Sequence, residues 1–212
     1  VYFVFNHSEA PYDTLTTLRT SCKYLQRWNP VTGERFRLPT STRADGLSTR
    51  LTLQPSESCF LIATDCSNDS LKYYSWAEHP DVYKIPGAWT IDYDTQKGGS
   101  GKVRTMFLED WTQSKDEGIK YYSGSAVYEN VFKMPAKQLF QQVSVRCHIP
   151  NGLAVLAVNG HEVGTLWCNP YELDITPYVK KGQNKIRLEV VNSLYNRMIG
   201  DAVHPDKKQY TQ

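Results

Sequence analysis

Leu153-Ala-Val-Leu-Ala-Val-Asn-Gly-His-Glu-Val-Gly-Thr-Leu-Trp167 is the stretch that decides the fold. Two apolar runs flank Asn159-Gly160, the dipeptide that best accepts the two positive φ angles of a type I′ turn, so a β-hairpin is expected. Leu153 to Val158 is apolar at every position, which predicts a strand buried on both faces. Downstream, Tyr171, Leu173 and Ile175 alternate with Glu172, Asp174 and Thr176, and Ile186, Leu188 and Val190 alternate with Lys185, Arg187 and Glu189. Upstream, Val143, Val145, Cys147 and Ile149 alternate with Gln142, Ser144, Arg146 and His148. A period of two throughout means strands, and an antiparallel sandwich is the simplest architecture that uses them all. Between the last two strands, Thr176, Pro177 and Gly182 predict one helical turn, with Thr176 as its cap, Pro177 at the first position and Gly182 as the terminator.

These residues carry a resemblance. Tyr128 and Phe132, Val158-Asn-Gly160, Gly164, Pro170-Tyr171, Asp174-Ile-Thr176, Gly182 with Asn184, and Asn192 resemble the galactose-binding-like jelly-roll domain of family 2-type glycoside hydrolases. Asp110-Trp-Thr112, Tyr122-Ser-Gly-Ser-Ala-Val-Tyr128 and Asn196-Arg-Met-Ile-Gly-Asp201 narrow the likeness to the C-terminal region of α-L-rhamnosidases of glycoside hydrolase family 106. Ser125 and Met198 depart from that pattern, which has Thr and Leu there. The resemblance spans about residues 87 to 210. It implies an ancillary, non-catalytic region that braces a catalytic domain lying upstream, and an exported, periplasmic or extracellular, bacterial setting. It also leaves room for a structural calcium held by loop carbonyls and Asp.

The chain has 212 residues and a formal net charge of +2, enough for one large or two small domains, with no basic stripe to suggest nucleic acid. No apolar run reaches membrane-spanning length. Val1 leads straight into the strand-like run Val1–Phe5, from which a piece of a longer polypeptide is expected. Five Cys, at 22, 59, 66, 147 and 168, lack metal or CxxC spacing, and their odd number argues for free, mostly buried thiols.

Residues 1–66 read as a small β-sandwich, or a half-sandwich completed by strands further upstream, with six short strands: 1–5, 14–20, 24–28, 35–38, 51–53 and 59–63. Asn29-Pro-Val-Thr-Gly33 is a turn and Pro39 to Ser48, rich in Ser, Thr and charge, a loop. The polar stretch from Cys66 to Glu78 is placed at the boundary, giving a second domain over 67–212. Its opening strand, Gly87 to Tyr93, sets Trp89 and Tyr93 on one face in core roles. Asp94 to Lys102, with Gly98-Gly-Ser-Gly101, is expected to be a flexible loop without phosphate-binding chemistry.

Candidate sites follow from residue chemistry. Glycoside hydrolysis needs two carboxyl groups, one with a raised pKa, roughly 5 to 9.5 Å apart. Glu109, Asp110, Asp116, Glu117, Glu129, Glu172, Asp174 and Asp201 supply carboxyls, but turn and solvent roles are the preferred reading and no catalytic pair is assigned. Trp167, Asn169 and Tyr171 after the hairpin, and Asn196, Arg197 and Asp201 near the end, combine aromatic faces with planar hydrogen-bonding groups suited to a sugar. The favoured alternative makes Trp167 core and has Asn196, Arg197 and Asp201 either form an ion-paired knot that pins the C-terminal segment or dock that segment on the upstream catalytic barrel. No metal ligand set is assigned. A carbohydrate-binding module remains the second function, to be distinguished by a row of solvent-facing aromatics, whereas an exposed apolar patch near the N-terminus would speak for docking.

Overall fold

The computed structural model describes residues 1–74, 82–135, 142–149 and 151–211, so residues 75–78 of the expected boundary stretch lie outside it. The chain forms two compact units, Val1–Val82 and Tyr83–Gln212. Both are built from antiparallel strands.

In the first unit the strands are β1 (Tyr2–Phe5), β2 (Tyr12–Leu18), β3 (Tyr24–Trp28), β4 (Arg35–Leu38), β5 (Ser41–Arg43), β6 (Gly46–Leu53) and β7 (Ser58–Thr64). They make one sheet in the order β1-β7-β3-β4 and another in the order β2-β6-β5. Between the sheets lie Leu18, Leu25, Leu38, Leu47, Leu51, Leu53, Cys59 and Leu61. Each fully buried leucine contributes about 1.5–3 kcal/mol relative to an exposed one.

The stretch expected as a loop, Pro39 to Ser48, instead contains β5 and the start of β6. Thr49 continues the alternation of Leu47, Leu51 and Leu53, and both it and Ser48 are buried. Gly46 permits the close pairing. With φ at +148° it approaches the Leu18 carbonyl so nearly that a Cβ would sit 2.0 Å from that oxygen. After β7 the chain returns to β4, where the Arg37 amide and carbonyl bond the backbone of Lys72 and Tyr74.

The second unit contains β8 (Trp89–Tyr93), β9 (Gly101–Thr105), the short helix α1 (Glu117–Lys120), β10 (Ser125–Met134), β11 (Ser144–Arg146), β12 (Gly152–Val158), β13 (His161–Leu166), β14 (Glu172–Asp174), β15 (Gly182–Asn192) and the helix α2 (Tyr195–Val203). Six strands form a sheet in the order β13-β12-β15-β10-β8-β9, and β11 pairs with β14 in a ribbon. Leu156, Leu188, Tyr128 and Ile91 stand abreast across four strands of the larger sheet. Val143, Val145, Tyr171 and Leu173, on and beside the ribbon, pack against the same core.

The hairpin forms as expected. Asn159 and Gly160 have φ of 53° and 86°. Its first strand, however, is buried on one face only. Ala154, Leu156 and Val158 are fully enclosed, while Leu153 is 37% exposed and Val155 and Ala157 are half-buried. The apolar run reflects strand propensity as well as burial, because only one face of the sheet meets the core.

The turn before β15 also differs from expectation. It is a 3-10 turn over Thr176–Tyr178 without a side-chain cap at its start. Asp174 Oδ1 accepts from the Thr176 amide, and the Thr176 hydroxyl accepts from Val143 N, so that hydroxyl ties the turn to the strand leading into β11. Gly182, with φ of 86°, opens β15 and does not close a helix. Asp94 to Lys102 is ordered by a 3-10 turn that Asp94 caps, followed by the start of β9.

Candidate functional site

The six candidate residues fall into two groups toward opposite edges of the six-stranded sheet. Trp167, Asn169 and Tyr171 follow β13 at one edge. Here the Tyr171 amide donates to the Cys168 carbonyl at 2.8 Å, closing a tight turn that contains a cis Asn169–Pro170 bond. Tyr171 packs against the core. Trp167 does not: it is 57% exposed, contrary to the expectation of a core role, because the turn carries the chain outward where β13 ends.

Asn196, Arg197 and Asp201 lie on α2, which packs against the Lys97–Gly98 turn between β8 and β9 and against Tyr121 and Ser123 ahead of β10. Asn196 is half-buried, and Arg197 and Asp201 are buried. Arg197 Nη2 donates to the carbonyls of Lys97 and Gly98, each at 3.3 Å, and the guanidinium lies 4.6 Å from the Tyr210 ring centre. The Arg197 amide donates to the Ser123 hydroxyl. Asp201 Oδ2 accepts from the amides of Tyr210 and Thr211 and from the Thr211 hydroxyl. Burial would raise the Asp201 carboxyl, but the Thr211 hydroxyl, the two amides and the Arg197 charge outweigh it and hold the group below its usual range. Asp201 thus anchors the chain's last residues, while Arg197 fastens the helix to the Lys97–Gly98 turn.

Asp110-Trp-Thr112 and Tyr122 to Tyr128 are organised around aromatic packing. Asp110 accepts from the Thr112 amide and starts a 3-10 turn. That turn inserts Trp111 against Tyr93 and Tyr122, with ring centres 5.5 and 5.6 Å away. Trp111 Nε1 donates to the Tyr128 hydroxyl at 2.5 Å. The Tyr122 hydroxyl accepts from Asp94 N and donates to Ser125 O, fastening the loop to the sheet. Burial raises the Tyr93, Tyr122 and Tyr128 phenols, which keeps them protonated.

Glu109 is exposed, and the other candidate carboxylates hold structural positions. Asp116 caps α1, Glu172 accepts from Ser144 and pairs with Arg146, and Glu129 pairs with Lys185. Glu117 faces Lys207 and His204; the hydrogen bond from Lys207 chiefly lowers its pKa. A general acid needs the opposite shift. A cavity of about 660 Å³ in the first unit is lined by Arg19, Lys23, Arg43 and one carboxylate, Asp45, so it presents no acid pair. Among the described residues no three His, Cys, Asp or Glu side chains converge to hold a metal, and no helix is long and apolar enough to cross a membrane. The five cysteines are free, but only Cys59 is fully buried, and Cys66 is exposed.

One surface was not read from the sequence. Phe3, Phe60 and Trp28 stand side by side across β1, β7 and β3, followed by Arg35 on β4. Phe3 is 60% exposed, its ring centre 5.3 Å from that of Phe60, with planes inclined at 53°. The Arg35 guanidinium covers the Trp28 ring at 4.2 Å. Strand alternation carried this signal, but the pairing register was needed to bring the aromatics abreast.

No family model matches the chain. It is similar to the solved structure of a rhamnosidase from Novosphingobium sp. PP1Y, with a TM-score of 0.82 and 29% identity over 94% of this chain and 19% of that one. A putative beta-glucuronidase of Formosa agariphila is 36% identical over 129 residues, 59% of this chain and 11% of that protein. The chain therefore spans less than a fifth of either protein. These similarities support the setting of a carbohydrate-degrading glycoside hydrolase, and the rhamnosidase match supports a β-sandwich region of such an enzyme.

Proposed function

We propose that this chain is an ancillary, non-catalytic β-sandwich region of an α-L-rhamnosidase-like glycoside hydrolase of family 106, and that its second unit is a galactose-binding-like domain bracing the catalytic body. The observation that carries this is the rhamnosidase match, which takes up nearly all of this chain yet only 19% of that enzyme. The carboxylates agree with it, since both acids of the second unit with a resolved shift, Glu117 and Asp201, are lowered. A periplasmic or extracellular location is part of the same proposal. Aryl α-L-rhamnoside hydrolysis tests it: the 212-residue chain should release no aryl alcohol, while the longer polypeptide containing it should. Turnover by the chain alone would end the reading.

A second reading, a carbohydrate-binding module, is favoured by the Phe3, Phe60 and Trp28 row. Sugar platforms present aromatic faces to the apolar side of a ring. Against it stand the 53° inclination of the first two rings and the Arg35 guanidinium over the third. Calorimetric titration with rhamnose-containing oligosaccharides separates the two, with saturable heat expected only for the module.

A further inference from the structure

Helix α2 is amphipathic in the reverse of the usual sense. At 3.6 residues per turn, Leu194 just before it and Tyr195, Met198, Ile199, Ala202 and Val203 within it share one side, and all six are exposed. Arg197, Gly200 and Asp201, on the opposite side, are buried. A solvent-facing helix normally turns its polar side outward. This one is locked the other way. Arg197 is held by the Lys97 and Gly98 carbonyls, Asp201 by the chain's last residues, and Gly200 fits against Tyr121 so closely that a Cβ would lie 2.6 Å from the Tyr121 Cβ. The helix cannot roll its apolar side into the unit without breaking all three contacts, so that side stays in water at a hydrophobic cost.

We propose that the apolar side of α2 is a docking surface for the remaining body of the larger glycoside hydrolase, reached within the same polypeptide; this rests on the accessory reading above. Two observations select that occupant over a second copy. The patch offers six exposed side chains, far short of the roughly 20–30 residues and 800 Å² per partner that stable association between separate molecules buries. In addition, the rhamnosidase that this chain matches carries 81% of its polypeptide outside the matched stretch (100 − 19). Covalent connection raises the effective concentration of such a body to about the millimolar range, at which a small apolar contact suffices.

Hydrogen–deuterium exchange of α2 in the 212-residue chain and in the longer polypeptide tests this. The helix amides should exchange at least about tenfold more slowly in the longer polypeptide. Met198→Lys combined with Val203→Lys should abolish that slowing, while the melting temperature of the 212-residue chain stays within about 2 °C, as exposed substitutions allow. Equal exchange in both polypeptides would overturn the proposal. So would sedimentation showing that the 212-residue chain dimerises and that the same two substitutions dissolve the dimer, which would assign the face to a second copy. Rhamnoside hydrolysis by the chain alone would instead remove the accessory reading, and it is scored by a separate readout.

Discussion

Asn159 Nδ2 donates to Asn184 Oδ1 at 2.8 Å, joining the turn of the β12–β13 hairpin to the first residues of β15. Asn184 is 1% exposed and fully used, because Oδ1 also accepts from Lys180 N while Nδ2 donates to the carbonyls of Lys180 and Gly182. Asn159 donates in addition to Tyr178 O and accepts from Lys185 N. Two side chains therefore satisfy backbone groups of Tyr178, Lys180, Gly182 and Lys185. Asn184→Leu is expected to lower stability by about 3 kcal/mol, since it strands several buried polar groups at once. Urea unfolding measures it, and a loss below about 1 kcal/mol would mean that the loop holds its shape without the amide.

Arg27 poses a similar test in the first unit. Its guanidinium, 4% exposed, donates to Thr52 O across the sandwich and pairs with Glu57 at 2.5 Å, beneath the Tyr74 ring. Glu57→Ala leaves that charge buried without its partner and should cost about 3–5 kcal/mol. Arg27→Met with Glu57→Leu removes both charges and should cost less than the single change. The order of the two unfolding free energies decides the matter.

Much of the second unit was legible because its signals are local. Asn159-Gly160 specifies a turn by dihedral preference, and the alternation of Ile186, Leu188 and Val190 specifies a face. Pro39 to Ser48 was misread because a strand made of Ser and Thr has no apolar contrast. Helix α2 escaped notice for a different reason. Its buried residues are Arg197, Gly200 and Asp201, so the apolar spacing points away from the core, and Asn196 to Asp201 looks like a ligand-binding motif. The chemistry of Trp167 was plain in the sequence, but whether it faces core or water depends on where β13 ends. Neither propensity nor periodicity sets that point.

Asp201 predicts an acid-labile tail. Its folded pKa lies below the ordinary carboxylate value, so the stabilisation it lends is complete above that ordinary value, about pH 4, and is lost as pH falls through the folded value. The Tyr210 and Thr211 amides should therefore lose protection, taken relative to the intrinsic exchange rate at each pH, as the solution is acidified below about pH 4. Asp201→Asn should remove the pH dependence and free the tail at neutral pH. Amide resonances of these two residues followed through a pH titration provide the check, and a flat profile in the parent chain would contradict it.

Thiol reactivity should rank by burial. Burial pushes the Cys147 thiol up to about 11 and raises Cys59 as well, whereas Cys66 is exposed. Alkylation with iodoacetamide at pH 8 should modify Cys66 first and spare Cys59 and Cys147, because the thiolate is the reactive form. Peptide mapping over a time course would show it. Early labelling of Cys147 would mean that its cover against the core opens readily.

The exposed aromatics separate packing from recognition. Trp167 is 57% exposed at the end of β13, so Trp167→Ala should change stability by no more than about 0.5 kcal/mol. Phe60→Ala should cost more, about 1–2 kcal/mol, because Phe60 is half-buried between Phe3 and Trp28. If the row serves only as a protein-packing surface, neither substitution alters the heat of titration with rhamnose-containing oligosaccharides, which is zero in the parent chain. If the parent chain gives saturable heat, Phe3→Ala should weaken the affinity by about tenfold, as loss of one stacking face on a sugar would. Heat that survives Phe3→Ala but disappears with Trp167→Ala would move the glycan site to the turn after β13.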